Sequence, residues 1–231
     1  TINRPDRQFK DHVRHPSLMQ ELVIYDGNIA TTTPSHIWSA TGMKAMEHVV
    51  ERMYTLVGNP VGDVLAERAG VMLHEGLPRS VDAPDDPAAR VVCQMGLMTV
   101  ESTGRGVQKG LCQVAGWQLG AYGVSHGHTA CVMLPHVMRF NLPETLAPQA
   151  ALGRALGSKS RSDSSSAQFA ITTIEDMTLQ MGLPTRLRDV GIELEHLEVI
   201  AEKIARSPNI IYNPIPVRDP SRIRSVLEAA W

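Results

Sequence analysis

The chain has 231 residues, a formal net charge of −2 and 43% apolar residues. That length accommodates one large or two small domains, and the apolar share is enough for a core. A near-neutral balance with no basic stripe excludes a nucleic-acid or polyanion binder. No run of 18 apolar residues is present, which excludes a transmembrane helix. The polar start TINRPDRQFKDHVRHP lacks the apolar core of a signal peptide, so a cytoplasmic location is the expectation.

The first 30 residues differ in character from the rest. The stretch containing Pro5 and Pro16 predicts extended structure or a hairpin, and Val23 to Asp26 (VIYD) predicts a strand. From Thr33-Pro34 onward the pattern turns helical, with Thr33 placed to cap and Pro34 in the first turn. Helices are predicted at about 34–57, 60–75, 85–103, 106–121, 129–139, 145–155, 164–181, 194–205 and 219–230. Asp86-Pro87 and Asp219-Pro220 are start signals of the same type, and Gly182-Leu183-Pro184 is a stop signal. The expected fold class is therefore mainly α, an irregular helical bundle with a short β segment at the N-terminus.

The serine-rich stretch 157–166, GSKSRSDSSS, has little to bury and predicts a mobile surface loop. Cys93, Cys112 and Cys131 are odd in number, lack metal-type spacing, and read as small buried hydrophobes. The glycines at 104, 106, 110, 116, 120, 123 and 127 read as places of close helix packing or bends.

Two segments stand out chemically. In TGMKAMEHVVERMY (41–54), Lys44 and His48 lie one helical turn apart on one face, while Met43, Met46 and Val50 fall on sides that pack. In KGLCQVAGWQLGAYGVSHGHTACVMLPHVMRFN (109–141), Gln113 and Trp117 repeat the one-turn spacing, and a glycine-rich break precedes His126. These side chains are candidates to converge on one cavity. Each also has a plainer role: Lys44 snorkelling to solvent from a helix edge, or His48 held by a near-surface Glu47 or Glu51. His128 and His136 are expected to cap or pack.

These segments resemble the iron-containing (group III) alcohol dehydrogenase superfamily and, within it, the maleylacetate reductase branch. TGMKAMEHVVE is similar to the family's TGMDAxxHxxE, in which the Asp and His are metal ligands, with Lys44 standing at the Asp. GLCQVAGWQLGAYGVSHG is similar to GLxHxxxHxLGAxxxxxHG but one residue shorter. It places Gln113 at the third ligand, Trp117 at a further histidine near the nicotinamide, and His126 at the last ligand. Shorter matches run through HPSLMQELVIYD, TTTPSHIW, MLPHVMRFN, MGLPTRLRDVGI, NPIPV and LEAAW.

The resemblance implies an NAD(P)-dependent oxidoreductase reducing the carbonyl or enone of a small, anionic substrate, with Lys44, His48, Gln113, Trp117 and His126 around the reacting atoms. It also implies that NAD(P)H binds through an N-terminal α/β domain bearing a GGGS-type turn, which the chain lacks. Residues 1–32 are then the remnant of that domain, and 33–231 the helical substrate-side domain. A metal is not expected. Two imidazoles, an amide and an ammonium fall short of the usual three-ligand catalytic site. Lys44 beside a cation costs about 4 kcal/mol per unit charge at 4 Å and an effective dielectric near 20. The maleylacetate reductase branch also replaces the Asp and works without metal. Lys44 is then the group that polarises the carbonyl or binds a carboxylate. The contrasting expectation is a non-catalytic helical binding or interaction module descended from such an enzyme. In either case partners are a small molecule and further copies of the chain, with no nucleic acid or membrane.

Overall fold

The structure, a computed structural model, describes residues 2–4, 9–11, 15–18, 21–102 and 110–231. It opens with an antiparallel hairpin of β1 (Ile2–Arg4) and β2 (Phe9–Asp11), in which Ile2 faces Asp11 and Arg4 faces Phe9. The predicted strand at Val23 to Asp26 is not formed. Among the described residues no third strand offers it a partner, and Val23 and Ile24 lie exposed. Asp26 instead caps the short helix α1 (Gly27–Thr31), its carboxylate accepting from the amides of Asn28 at 2.8 Å and Ile29 at 3.1 Å.

The body is helical: α2 (Ser35–Met53), α3 (Pro60–Asp82), α4 (Pro87–Glu101), α5 (Leu111–Gly120), α6 (His126–Ala155), α7 (Asp163–Gln180), α8 (His196–Ala205) and α9 (Pro220–Ala230). Asp86 and Asp219 cap α4 and α9 through the amides of Ala88 and Ser221, with proline at the first helical position, as their sequence signals predict. Pro34, not Thr33, occupies the cap position of α2, and no side-chain hydrogen bond caps that helix. Residues 103–109, the end of one predicted helix and the start of the next, lie outside the described residues, as do Gly104 and Gly106.

Tertiary packing overrides local signals in three places. Helix α3 runs past the predicted end at 75 and carries Pro78 inside it. Gly76, Leu77 and Ser80 are buried on that last stretch, and the burial of Leu77 offsets part of the roughly 3 kcal/mol cost of an interior proline. The two helices predicted at 129–139 and 145–155 are one bent helix, α6, broken only at Thr145 (φ −129°, ψ 23°). Side chains take up the carbonyls at the bend: the Thr145 hydroxyl donates to the Asn141 carbonyl, and the Gln149 amide donates to that of Met138. The serine stretch is not a simple loop, because Ser162 caps α7 and Ser166 is fully buried. A Cβ on Gly153 would stand 1.8 Å from the Ser166 carbonyl oxygen, so α6 and α7 touch backbone to backbone there.

Helix α2 lies at the centre, packed on α3, α4, α5 and α6. Met43, Met46, Val49 and Val50 from it join Leu73, Leu77, Leu111, Leu119, Leu134 and Met138 in one continuous core. The three cysteines are buried and free, as expected. No helix among the described residues is long and apolar enough to cross a membrane.

Candidate functional site

Because α2 is surrounded, its polar residues are buried along with its apolar ones. Lys44 is only 7% exposed, Glu47 0% and Glu51 1%. The snorkelling alternative for Lys44 is therefore not what the fold adopts. Its ammonium forms an ion pair with the Glu47 carboxylate one turn along. Neither acid is near-surface, in contrast to the sequence expectation. The stripe Lys44, Glu47, His48, Glu51 follows the i, i+3, i+4, i+7 spacing of one helix face.

Glu51 faces the start of α5. Its two oxygens accept from the backbone amides of Cys112 at 2.8 Å and Gln113 at 3.3 Å, so a carboxylate sits on the positive end of that helix. Leu111 N–H is taken by Asn213 Oδ1 at 3.1 Å. Gly110, just before the helix, is pressed against Asn213, where a Cβ would lie 2.8 Å from Oδ1. The start of α5 is thus held by side chains from two distant segments.

His48 pairs with neither Glu47 nor Glu51. Its Nδ1 lies 2.6 Å from Oε1 of Glu101, the last residue of α4, and the ring is 20% exposed. Gln113 is buried at 8%, and its side-chain oxygen has no hydrogen-bond partner among the described residues. Trp117 is half-buried against the core. His126 is the first residue of α6, following the capping Ser125.

Backbone packing gathers these elements. A Cβ on Gly127 would stand 2.6 Å from the Ala40 carbonyl, so the first turn of α6 rests on α2 one turn before Lys44. A Cβ on Gly116 would stand 2.9 Å from the Thr129 hydroxyl and 3.8 Å from Lys44 Nζ, placing the ammonium between α5 and α6. Burial drives the Cys112 thiol well above its ordinary range, reinforced by the negative charges of Glu47 and Glu51. A cavity of about 560 Å³ opens beside this junction, lined by His36, Ser125, His128 and Asp189 among others, and Lys44, His48, Gln113, Trp117 and His126 are not among its walls.

Glu47 and Glu51, read from the sequence only as near-surface partners for His48, stand three and seven positions after Lys44, a spacing that places them on the same face of α2. Glu101, Asn141 and Asn213 had no such signal, since their roles arise only from contacts across 53 to 102 positions of chain.

The chain matches the family described as "Fe-containing alcohol dehydrogenase family, C-terminal" over residues 38–231. It is 31% identical over 211 residues to the Escherichia coli protein named "Probable alcohol dehydrogenase EutG", covering 89% of this chain and 51% of that protein. It is 30% identical over 219 residues to maleylacetate reductase 1 of Rhodococcus opacus, covering 93% of this chain and 57% of that protein. The crystal structure of maleylacetate reductase from Agrobacterium tumefaciens superimposes with a TM-score of 0.83 at 25% identity, over 95% of this chain and 59% of that one. The chain spans about half the length of the curated relatives it matches.

The iron in the family's name is a poor fit to the residues present. Lys44, as an ammonium ion-paired with Glu47, has no lone pair to give a metal, and Gln113 offers only a neutral amide. Among the described residues no group of three His, Cys, Asp or Glu side chains is placed to hold a metal ion. With that departure, the helical architecture and the match over residues 38–231 make the chain a member of the Fe-containing alcohol dehydrogenase family, whose C-terminal domain it forms.

Proposed function

We propose that this chain is the substrate-side domain of an NAD(P)-dependent oxidoreductase that reduces the carbonyl or enone of a small substrate without a metal. The observation that carries the reading is the buried Lys44 ammonium, held by Glu47 one turn from His48 at the junction of α2, α5 and α6. A fixed cation in a dry site polarises a carbonyl oxygen far more strongly than one in water. Glu47 balances its charge, so the substrate class extends from short keto acids to neutral aldehydes. His48 and His126 serve as proton donors to the substrate oxygen. The nicotinamide would supply the hydride, and the residues that hold it belong to a segment outside this chain. The exposed run Leu22, Val23 and Ile24, with Ile29 and Ile37, is the surface this reading gives to that segment.

The test is turnover of aldehydes and keto acids by the full-length gene product with NADH and NADPH, before and after chelator treatment. The expected result is activity that survives chelation and falls at least 100-fold in a Lys44→Met/Glu47→Leu variant, which keeps the core neutral. Activity restored only by added iron or zinc overturns the metal-free reading.

A second reading is a helical binding module without catalysis. It is favoured by the internal neutralisation of Lys44, since a buried ion pair closed on itself is also what a structural core contains. Absence of turnover with every cofactor and substrate, in a folded full-length protein, would select it.

A further inference from the structure

Resting on the oxidoreductase reading for its catalytic consequence, though not for its physical content, we propose that Glu101 is a positioning residue that locks His48 into the tautomer carrying its proton on Nδ1. The neutral imidazole has one N–H and one lone pair, and the hydrogen bond made by one nitrogen decides which is which. A carboxylate only accepts. At 2.6 Å from Oε1, Nδ1 must therefore be the N–H, and the lone pair is left on Nε2. In free imidazole side chains the preference runs the other way, so the pair imposes a state that His48 would not choose alone.

The two residues come from different helices, α2 and the end of α4, and are separated by 53 positions. The backbone around them is fixed. Gly96 of α4 is packed on Leu73, and Met43, Met46 and Val49 of α2 are fully buried. The hydrogen bond thus closes between side chains of two packed helices, with His48 20% and Glu101 55% exposed, and the ring cannot turn over without breaking it.

The consequence concerns direction of proton flow. With Nδ1 committed to Glu101, Nε2 is the nitrogen through which His48 exchanges a proton with a substrate oxygen. The imidazolium gives the Nε2 proton to that oxygen and returns to the neutral ring with its remaining proton on Nδ1, still donating to Glu101. No proton is lost or gained elsewhere.

The test is long-range ¹H–¹⁵N correlation spectroscopy of the 231-residue chain labelled at its nine histidines, at a pH where the rings are neutral, with His48 assigned by its disappearance in His48→Gln. The expected spectrum shows His48 with a pyrrole-type Nδ1 and a pyridine-type Nε2. Glu101→Gln should keep that pattern, because its amide oxygen still accepts, whereas Glu101→Leu should convert His48 to the Nε2–H form. A wild-type His48 already in the Nε2–H form, or an Nδ1–H pattern that survives Glu101→Leu, overturns the proposal. In the full-length protein Glu101→Leu should lower kcat about tenfold or more with little change in KM, and Glu101→Gln should largely rescue it. An Nδ1–H spectrum together with an inactive wild-type protein would sink the oxidoreductase reading while leaving the tautomer assignment standing.

Discussion

The side-chain amides of Asn141 and Asn213 hydrogen-bond each other in both directions, Nδ2 to Oδ1, at 3.0 and 2.7 Å, in a region where both are essentially fully buried. Asn213 also donates to the Ile215 carbonyl at 2.8 Å and accepts from Leu111 N–H. One amide therefore joins α6, the start of α5 and the segment leading to α9. The sequence stretches MLPHVMRFN and NPIPV, 72 positions apart at these asparagines, meet in this clasp.

Asn213→Ala leaves the Leu111 amide, the Ile215 carbonyl and the Asn141 side chain without their partner. Each buried unsatisfied group costs about 1–3 kcal/mol, so a loss of about 3 kcal/mol or more is expected after partial relaxation. Urea denaturation of the variant reads this directly. A change below about 1 kcal/mol would show that water replaces the amide.

Lys44→Met alone strands the Glu47 carboxylate in a fully buried position and should destabilise by about 3–5 kcal/mol. Lys44→Met/Glu47→Leu should recover most of that, because a neutral pair of similar volume has no charge to desolvate. A double-mutant cycle by chemical denaturation measures the coupling. Additive single-variant losses would mean that the two residues do not act as a pair.

None of the cysteines should react in the folded chain. Burial pushes the thiol of Cys93 up to about 11 and that of Cys131 up to about 12, and raises that of Cys112 well above the ordinary range. Thiolate is the reactive form, and near pH 8 its fraction at these sites is negligible. A colorimetric thiol titration at that pH is expected to find no fast-reacting group until denaturant is added, and then all three cysteines. Fast reaction of Cys112 in the native chain would place it at an open site.

Stability should fall as the solution is acidified from pH 7 towards pH 5. His74, His128 and His136 all titrate below the ordinary histidine value because burial disfavours the imidazolium; His36 adds to this at His128, and Arg139 and Arg186 add to it at His136, where Glu175 opposes. At His74, Glu75 opposes burial. The unfolded chain takes up these protons near pH 6.5 while the folded chain does so only at lower pH, so the contribution is present above about 6.5 and is lost as pH falls from there through the lower folded values. Unfolding free energies at pH 7.5 and 5.5 test the sign. Replacing His136 by Gln should flatten part of the slope.

Gly127→Ala should displace the first turn of α6 from α2, since a Cβ there would meet the Ala40 carbonyl at 2.6 Å. A cost of about 1–3 kcal/mol is expected from overpacking against backbone that cannot rotate away. Thermal unfolding monitored by circular dichroism would show it, and an unchanged midpoint would indicate that α6 shifts freely at its start.

The sequence by itself determined the helical class, most of the helices, and the start signals at Asp86-Pro87 and Asp219-Pro220, because these depend on periodicity and capping within a few residues. It also carried the family resemblance, on the motifs around His48 and His126. What it did not determine was which polar residues are buried and with whom. Nothing local distinguishes Glu47 inside the protein from a solvated glutamate. Its burial follows from α2 being enclosed by α3, α4, α5 and α6, and only there does a pairing with Lys44 become obligatory. The pairing of His48 with Glu101, the grip of Glu51 on the α5 amides, and the loss of the Val23 to Asp26 strand have the same origin. Each depends on whether an element from another part of the chain arrives to complete a hydrogen bond, and that is decided by packing over long sequence separations.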